Sequence, residues 1–203
     1  MKEFNTTAVC VPDKHYMADL SERVQEIKKL VDDGKYFAIN RPRQYGKTTT
    51  IDALCHVLQT EYEVVSLSFA GIGNAGFETE QSFVKAFARK LKREFLNGLA
   101  VPAEIKNRIL EIISRKEEKA ELDELFDLLQ DWCDEEEKGI VLVIDEIDSA
   151  TNNQVFWDFL SQLRSLHLKR ANSNRVKTFQ SVILAGVTDV RQVKKITPSE
   201  GED

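Results

Sequence analysis

The stretch GIVLVIDEIDSA, Gly139 to Ala150, places five consecutive apolar residues, Ile140 to Ile144, directly before two carboxylates, Asp145 and Glu146. Unbroken apolarity over that length suits a strand buried on both faces, the situation of a central strand in a parallel sheet covered by helices. Pattern alone leaves a buried helix segment open. The neighbouring segments show what such a strand would pair with. KYFAIN (Lys35 to Asn40), YEVVSLSF (Tyr62 to Phe69) and FQSVILAGV (Phe179 to Val187) also read as strands.

Helical patterns fill the intervals. Asp19 is placed to cap a helix with Glu22 reaching back to it, and Leu20, Val24, Ile27, Leu30 and Val31 share one face before Gly34 stops it. Ile51, Leu54, Cys55 and Leu58 repeat at i, i+3, i+4, i+7 in a helix opening at Gly46. Phe83, Phe87, Leu91 and Phe95 mark a helix from about Glu78 to Leu96, after a glycine-rich loop AGIGNAG that reads as a flexible connection. Pro102 to Lys138 is a charged helical region, with an apolar stripe through Leu122, Leu125, Phe126, Leu129, Trp132 and Cys133. A last helix, about Asn152 to Leu168, carries Val155, Phe156, Phe159, Leu160 and Leu163 inward. Alternating strands and helices predict an α/β fold: a three-layer α/β/α sandwich around a mainly parallel central sheet, with right-handed crossovers.

At 203 residues, 42% hydrophobic and 31% charged, the chain suits one domain with a single sizeable core. Its 34 acidic against 28 basic residues give a net charge of −6, which predicts no general attraction to nucleic acid or to an anionic membrane. No apolar run approaches the roughly 20 residues that cross a bilayer, and the N-terminus lacks a secretion-signal core, so a cytoplasmic chain is expected. Cys10, Cys55 and Cys133 are scattered and unpaired by motif, which argues against both a disulfide framework and a zinc site. His15, His56 and His167 show no metal spacing and read as structural.

Ligands of open parallel sheets sit beyond the carboxyl ends of the strands. Three features fall there: the loop Arg41 to Tyr45 with Gly46-Lys47-Thr48, the Asp145-Glu146 pair, and Thr188. The first resembles the phosphate-binding pattern G-x-x-x-x-G-K-[ST], with Arg41 where the first glycine is usual. In that pattern backbone N–H groups over Arg43, Gln44, Tyr45, Gly46, Lys47, Thr48 and Thr49 wrap phosphate oxygens. The lysine ammonium neutralises the outer phosphates, the Thr48 hydroxyl ligates Mg2+, and the helix opening at Gly46 adds its positive end. Glycine is needed where the backbone takes positive φ or approaches the ligand, which singles out Gly46. Arg41 stands where the strand leaves the sheet and a side chain can turn outward, so the cradle is expected to survive. Pro42 would stiffen its approach, and Arg41 or Arg43 either adds charge near the phosphates or points to water.

Asp145, ending a buried strand, can hold Mg2+ through its water shell, and Glu146 can orient or deprotonate the attacking water. Such a pair also serves to cap a following helix or to hold a metal for nuclease chemistry. Asp148 reads as the residue that starts the next helix.

RPRQYGKTTT, IVLVIDEIDSA and SVILAGVTDV, in this order, resemble the Walker A, Walker B and sensor 1 regions of AAA+ and related ASCE-type P-loop ATPases, and in particular bacterial ATPases with an AAA-like domain. The resemblance implies a P-loop NTPase fold that binds ATP with Mg2+ and hydrolyses its β–γ bond. Lys47 matches the phosphate lysine, Thr48 and Asp145 the magnesium residues, and Glu146 the hydrolytic glutamate. Thr188, with Asp189 as the neighbouring alternative, stands near the polar sensor, and Tyr16 and Met17 near the adenine. On this view residues 1–203 form one AAA-like domain lacking the C-terminal helical lid and fifth strand of the class. That lack favours a rival reading, an ATP-dependent switch or assembly module with little or no turnover; a nucleic-acid-linked ATPase is the other alternative.

Arg164, Lys169, Arg170, Arg175, Lys177, Arg191, Lys194 and Lys195 make the last forty or so residues basic. They read as a solvated face, as a source of an arginine finger in a homo-oligomer or toward a partner protein, or as a nucleic-acid contact that the net charge does not support. No guanine-recognition signature of the N-K-x-D kind is present, which favours adenine.

Overall fold

The computed structural model describes residues 20–40, 46–115, 120–172 and 176–187. Its centre is the strand foreseen from the apolar run: every residue of β3 (Ile140–Asp145) is buried. The other strands are β1 (Tyr36–Asn40), β2 (Glu63–Ser68) and β4 (Ser181–Gly186), all parallel, in the order β1-β4-β3-β2. In register, Asn40 lies beside Gly186 and Ser68 beside Asp145, so the strand ends meet along one rim of the sheet.

Because successive side chains on a strand point to opposite faces, each strand feeds two cores. Val141 and Val143 of β3, Ile183 and Ala185 of β4 and Val64 of β2 pack with helices α1 (Ser21–Asp32) and α2 (Lys47–Leu58) through Val24, Val31, Ile51, Leu54 and Leu58. The intervening residues, among them Leu142, Ile144, Val65, Leu67 and Val182, meet helices α3 (Glu80–Leu96), α4 (Ala103–Ser114), α5 (Leu122–Glu135) and α6 (Gln154–Asn172). The result is the expected three-layer α/β/α sandwich. The second core is dominated by phenylalanines: Phe159 of α6 stands 5.3 Å from Phe83, 5.4 Å from Phe87 and 5.4 Å from Phe126 between ring centroids. Each such buried side chain contributes about 1.5–3 kcal/mol by transfer from water, and the ring pairs add about 0.5–1.5 kcal/mol.

Several local expectations change. The first helix starts at Ser21 with Leu20 in the capping position and no side-chain cap, while Asp19 lies outside the described residues. Helix α3 begins at Glu80, where Thr79 and Ser82 form a reciprocal cap: each backbone N–H is taken by the other's hydroxyl at 3.1 Å. The glycine-rich loop before it is held down, because it folds into a 3₁₀ turn (Asn74–Phe77) and buries Ile72 and Phe77. The charged helical region divides into α4 and α5, and α6 runs from Gln154 to Asn172. Asp148 starts no α-helix; it lies in a 3₁₀ turn, Ile147–Ser149. No helix among the described residues is long and apolar enough to cross a membrane.

Candidate functional site

Gly46 takes φ 69°, ψ 26° at the N-terminus of α2, the left-handed conformation that glycine adopts without a Cβ penalty. Its carbonyl accepts from the Thr50 amide at 2.9 Å and the Thr50 hydroxyl at 2.8 Å, so the first turn is fixed from inside. Lys47 follows as the first helical residue. Its ammonium reaches across the rim to Asp145 at the end of β3, with Nζ 2.5 Å from Oδ1 and both side chains only 11% and 13% exposed. In the sheet, β4 lies between β1 and β3, the strand that ends in Asp145. Thr48 is exposed at the start of the same helix, and Thr49 is half-buried.

The Asp145 carboxylate also accepts the Glu146 amide on Oδ1 at 2.7 Å, and the Asp145 carbonyl accepts the Phe69 amide at 2.9 Å. Glu146 is exposed and takes φ 56°, ψ 45°, the sole non-glycine residue with positive φ among those described. A left-handed residue with a side chain costs about 1–3 kcal/mol and persists only where its surroundings over-determine it. On α3, the Lys90 ammonium donates to the Ala70 carbonyl at 2.6 Å. Burial and Arg93 push that ammonium's pKa below the usual lysine range, while Glu94 and Glu146 oppose the shift. On the α2 side, burial raises the Asp52 carboxyl, and the charge of Asp145 acts in the same direction.

Of the residues singled out from sequence, Gly46, Lys47, Thr48, Asp145 and Glu146 therefore share one rim. Arg41, Pro42, Arg43, Gln44, Tyr45, Thr188, Asp189, Tyr16 and Met17 lie outside the described residues, as do Cys10, His15, Arg175, Arg191, Lys194 and Lys195. Two of the basic residues prove to be committed internally. Arg170 donates to the Phe179 carbonyl at 2.8 Å, the Gln180 carbonyl at 3.0 Å and Gln180 Oε1 at 2.9 Å, and Lys177 donates to the carbonyls of Asp134 and Glu136. These bonds stitch the loop before β4 to its surroundings; Arg164 and Lys169 remain exposed on α6.

Sequence reasoning missed two contacts. Asp148 Oδ1 accepts the Val187 amide at 2.7 Å, tying the turn after β3 to the end of β4. Lys90, far along α3, donates to the Ala70 carbonyl, a bond that no spacing in the sequence announces.

The rim fits a magnesium-bound polyphosphate on two counts. A cation and a carboxylate converge at the positive end of a helix, and a Cβ built on Gly46 meets nothing within 4 Å among the described residues.

Residues 5–200 match the AAA-like domain family. Among solved structures, the chain is similar to the ORC2 protein of Aeropyrum pernix in ADPNP–ADP complexes, with a TM-score of 0.52 at 13% identity, over 95% of this chain and 46% of that one. The Cdc6p of Pyrobaculum aerophilum gives 0.49 at 17% identity, over 91% and 42%. The Drosophila ORC bound to poly(dA/dT) DNA and Cdc6 gives 0.46 at 14%, over 88% and 26%. The chain thus spans less than half the length of each. No curated protein matches it in sequence. The family match covers nearly the whole chain and shows that the chain belongs to the AAA-like domain family.

Proposed function

We propose that this chain binds Mg-ATP at the carboxyl rim of its sheet and hydrolyses the β–γ bond by in-line attack of water. The observation that carries this reading is the 2.5 Å contact between Lys47 and Asp145, which joins the loop cation and the strand-end carboxylate at one spot. The nucleotide found with the Aeropyrum ORC2 protein, which shares the fold, supports the choice of an adenine ligand.

The chain's own groups divide the work. The amides at the start of α2 take phosphate oxygens, with Gly46 allowing the backbone to come close, and those of Arg43, Gln44 and Tyr45 extend the cradle. Lys47 exchanges its carboxylate partner for phosphate and stabilises the charge that builds on the transferred group. Thr48 and Asp145 hold magnesium, which supplies charge neutralisation across the phosphates when bound. Glu146, exposed beside Asp145, orients the water and takes its proton. Thr188, next in the chain after Val187, is assigned the polar contact to the transferred phosphate. The domain is taken as residues 1–203.

The test separates binding from turnover. Lys47→Ala should weaken Mg-ATP binding about 10- to 100-fold, as loss of one or two charge-assisted bonds implies. Glu146→Gln should leave affinity within about 3-fold and lower phosphate release about 10²- to 10⁴-fold, the range for removal of a general base. Equal loss of binding in the two variants would contradict the division of roles.

A further inference from the structure

Glu146 is held in an unfavourable backbone conformation, and the bonds that hold it identify a further residue. On its N-terminal side the Glu146 amide is fixed by the Asp145 carboxylate at 2.7 Å. On its C-terminal side the 3₁₀ turn Ile147–Ser149 is anchored in two ways: Ile147 is fully buried, and Asp148 Oδ1 accepts the Val187 amide at 2.7 Å. Within the turn, Thr151 donates its hydroxyl to the Asp148 carbonyl at 2.9 Å, and the Ala150 amide donates to the Ile147 carbonyl at 2.9 Å. The turn can come this near to β4 because Gly186 has no side chain: a Cβ there would stand 3.0 Å from Ile147 Cγ1 and 3.1 Å from Asp148 Oδ1. Of these anchors, only the Asp148 bond joins the turn to a different strand end.

We propose that Asp148 is a positioning residue for Glu146, its carboxylate clamping the turn after β3 to the end of β4 and so fixing the main chain from which the glutamate projects. This rests on the hydrolytic reading of Glu146 given above. Without the acceptor, the Val187 amide loses its partner and the turn is released on its β4 side. Glu146 then relaxes toward ordinary backbone angles, and its carboxylate moves from the direction in which it serves the water. The phosphate-holding groups on α2 are not part of the clamp, so affinity is left in place. The same bond makes β4 and Glu146 a single mechanical unit: displacement at the end of β4 reaches the glutamate directly.

The experiment compares ATP turnover and Mg-ATP affinity in the wild type, Asp148→Ala, Asp148→Asn and Gly186→Ala. Asp148→Ala should lower kcat about 10- to 100-fold with KM and Kd within about 3-fold, the signature of a misplaced catalytic group. Asp148→Asn keeps a side-chain oxygen to accept from Val187 and should recover kcat to within about 3-fold of wild type. Gly186→Ala disturbs the same bond from the strand side and should share the kcat defect. Wild-type kcat in Asp148→Ala, an equal defect in the Asn variant, or parallel loss of kcat and affinity would overturn the proposal. Should Asp148→Ala fail to fold, the Asn and Gly186→Ala variants decide it by the same criteria. Should the wild type release no phosphate, the hydrolytic function itself is wrong. The clamp is then judged by amide exchange: Val187 slow in the wild type and fast without the Asp148 acceptor supports it, equal rates refute it.

Discussion

Replacing Gly46 by alanine tests the site with two numbers that are worked separately. The residue stands at φ 69°, ψ 26°, where an L-side chain costs about 1–2 kcal/mol relative to glycine. Among the described residues a Cβ would touch nothing within 4 Å, so they add no steric term. The strain is not relieved by rotation either, because the Gly46 carbonyl is pinned by the Thr50 amide and hydroxyl at 2.9 and 2.8 Å. The expected loss of stability without nucleotide is therefore about 1–2 kcal/mol, a fall in Tm of roughly 2–8 °C for a domain of this size. In the presence of ligand the variant should lose far more. Mg-ATP at about 100 times Kd adds about 2.7 kcal/mol to the wild type by mass action. The alanine methyl occupies the space that the backbone leaves open for phosphate, so this increment should vanish in the variant. Thermal unfolding followed by circular dichroism, with and without Mg-ATP, reads both quantities. A loss above about 4 kcal/mol without nucleotide would mean that Gly46 is tightly packed, and an intact ligand increment would mean that phosphate does not approach it.

Two further perturbations address the scaffold. Phe69, fully buried, follows β2 and contacts the rings of Phe77, Phe83, Phe87 and Phe156 at 6.1 to 6.2 Å while its amide holds the Asp145 carbonyl. Phe69→Ala should cost about 3–5 kcal/mol in urea denaturation, and a value below about 1.5 kcal/mol would place this cluster outside the stabilising core. Alkaline pH is the other. Burial pushes the Tyr36 phenol and the Cys133 thiol each up to about 12, above ordinary values of 10.0 and 9.0. The folded state thus favours their neutral forms, so their contribution is complete below pH 9 and is lost as pH rises toward about 12. The denaturation midpoint should fall from pH 9 upward, less steeply in Cys133→Ala; the same slope in that variant and in the wild type would refute the account of the thiol.

The sequence announced what depends on neighbours along the chain. The apolar run ending in Asp145 announces a doubly buried strand because both faces of β3 are covered, and Gly46-Lys47-Thr48 announces a helix start because positive φ and the first helical turn are local matters. What stayed hidden depends on pairing across the fold. Alternating strands and helices imply a parallel sheet, but nothing in that alternation says that β4 inserts between β1 and β3. An aspartate ahead of a helical pattern reads as a cap, whereas the Asp148 carboxylate accepts from a main-chain amide 39 residues away. Arg170 reads as a surface cation for the same reason, since backbone carbonyls, its acceptors, leave no mark in composition.

The two faces of the sheet are unequal. Helix α2, with Lys47 at its tip, rests with α1 on an aliphatic layer of valine, leucine, isoleucine and alanine, whereas four helices and a web of aromatic rings cover the other face. Free energy of opening follows buried apolar area, so the face carrying two helices is expected to open at less cost than the face carrying four. On the proposed function, Lys47 then rides on the more lightly covered face while Asp145 ends the strand buried on both.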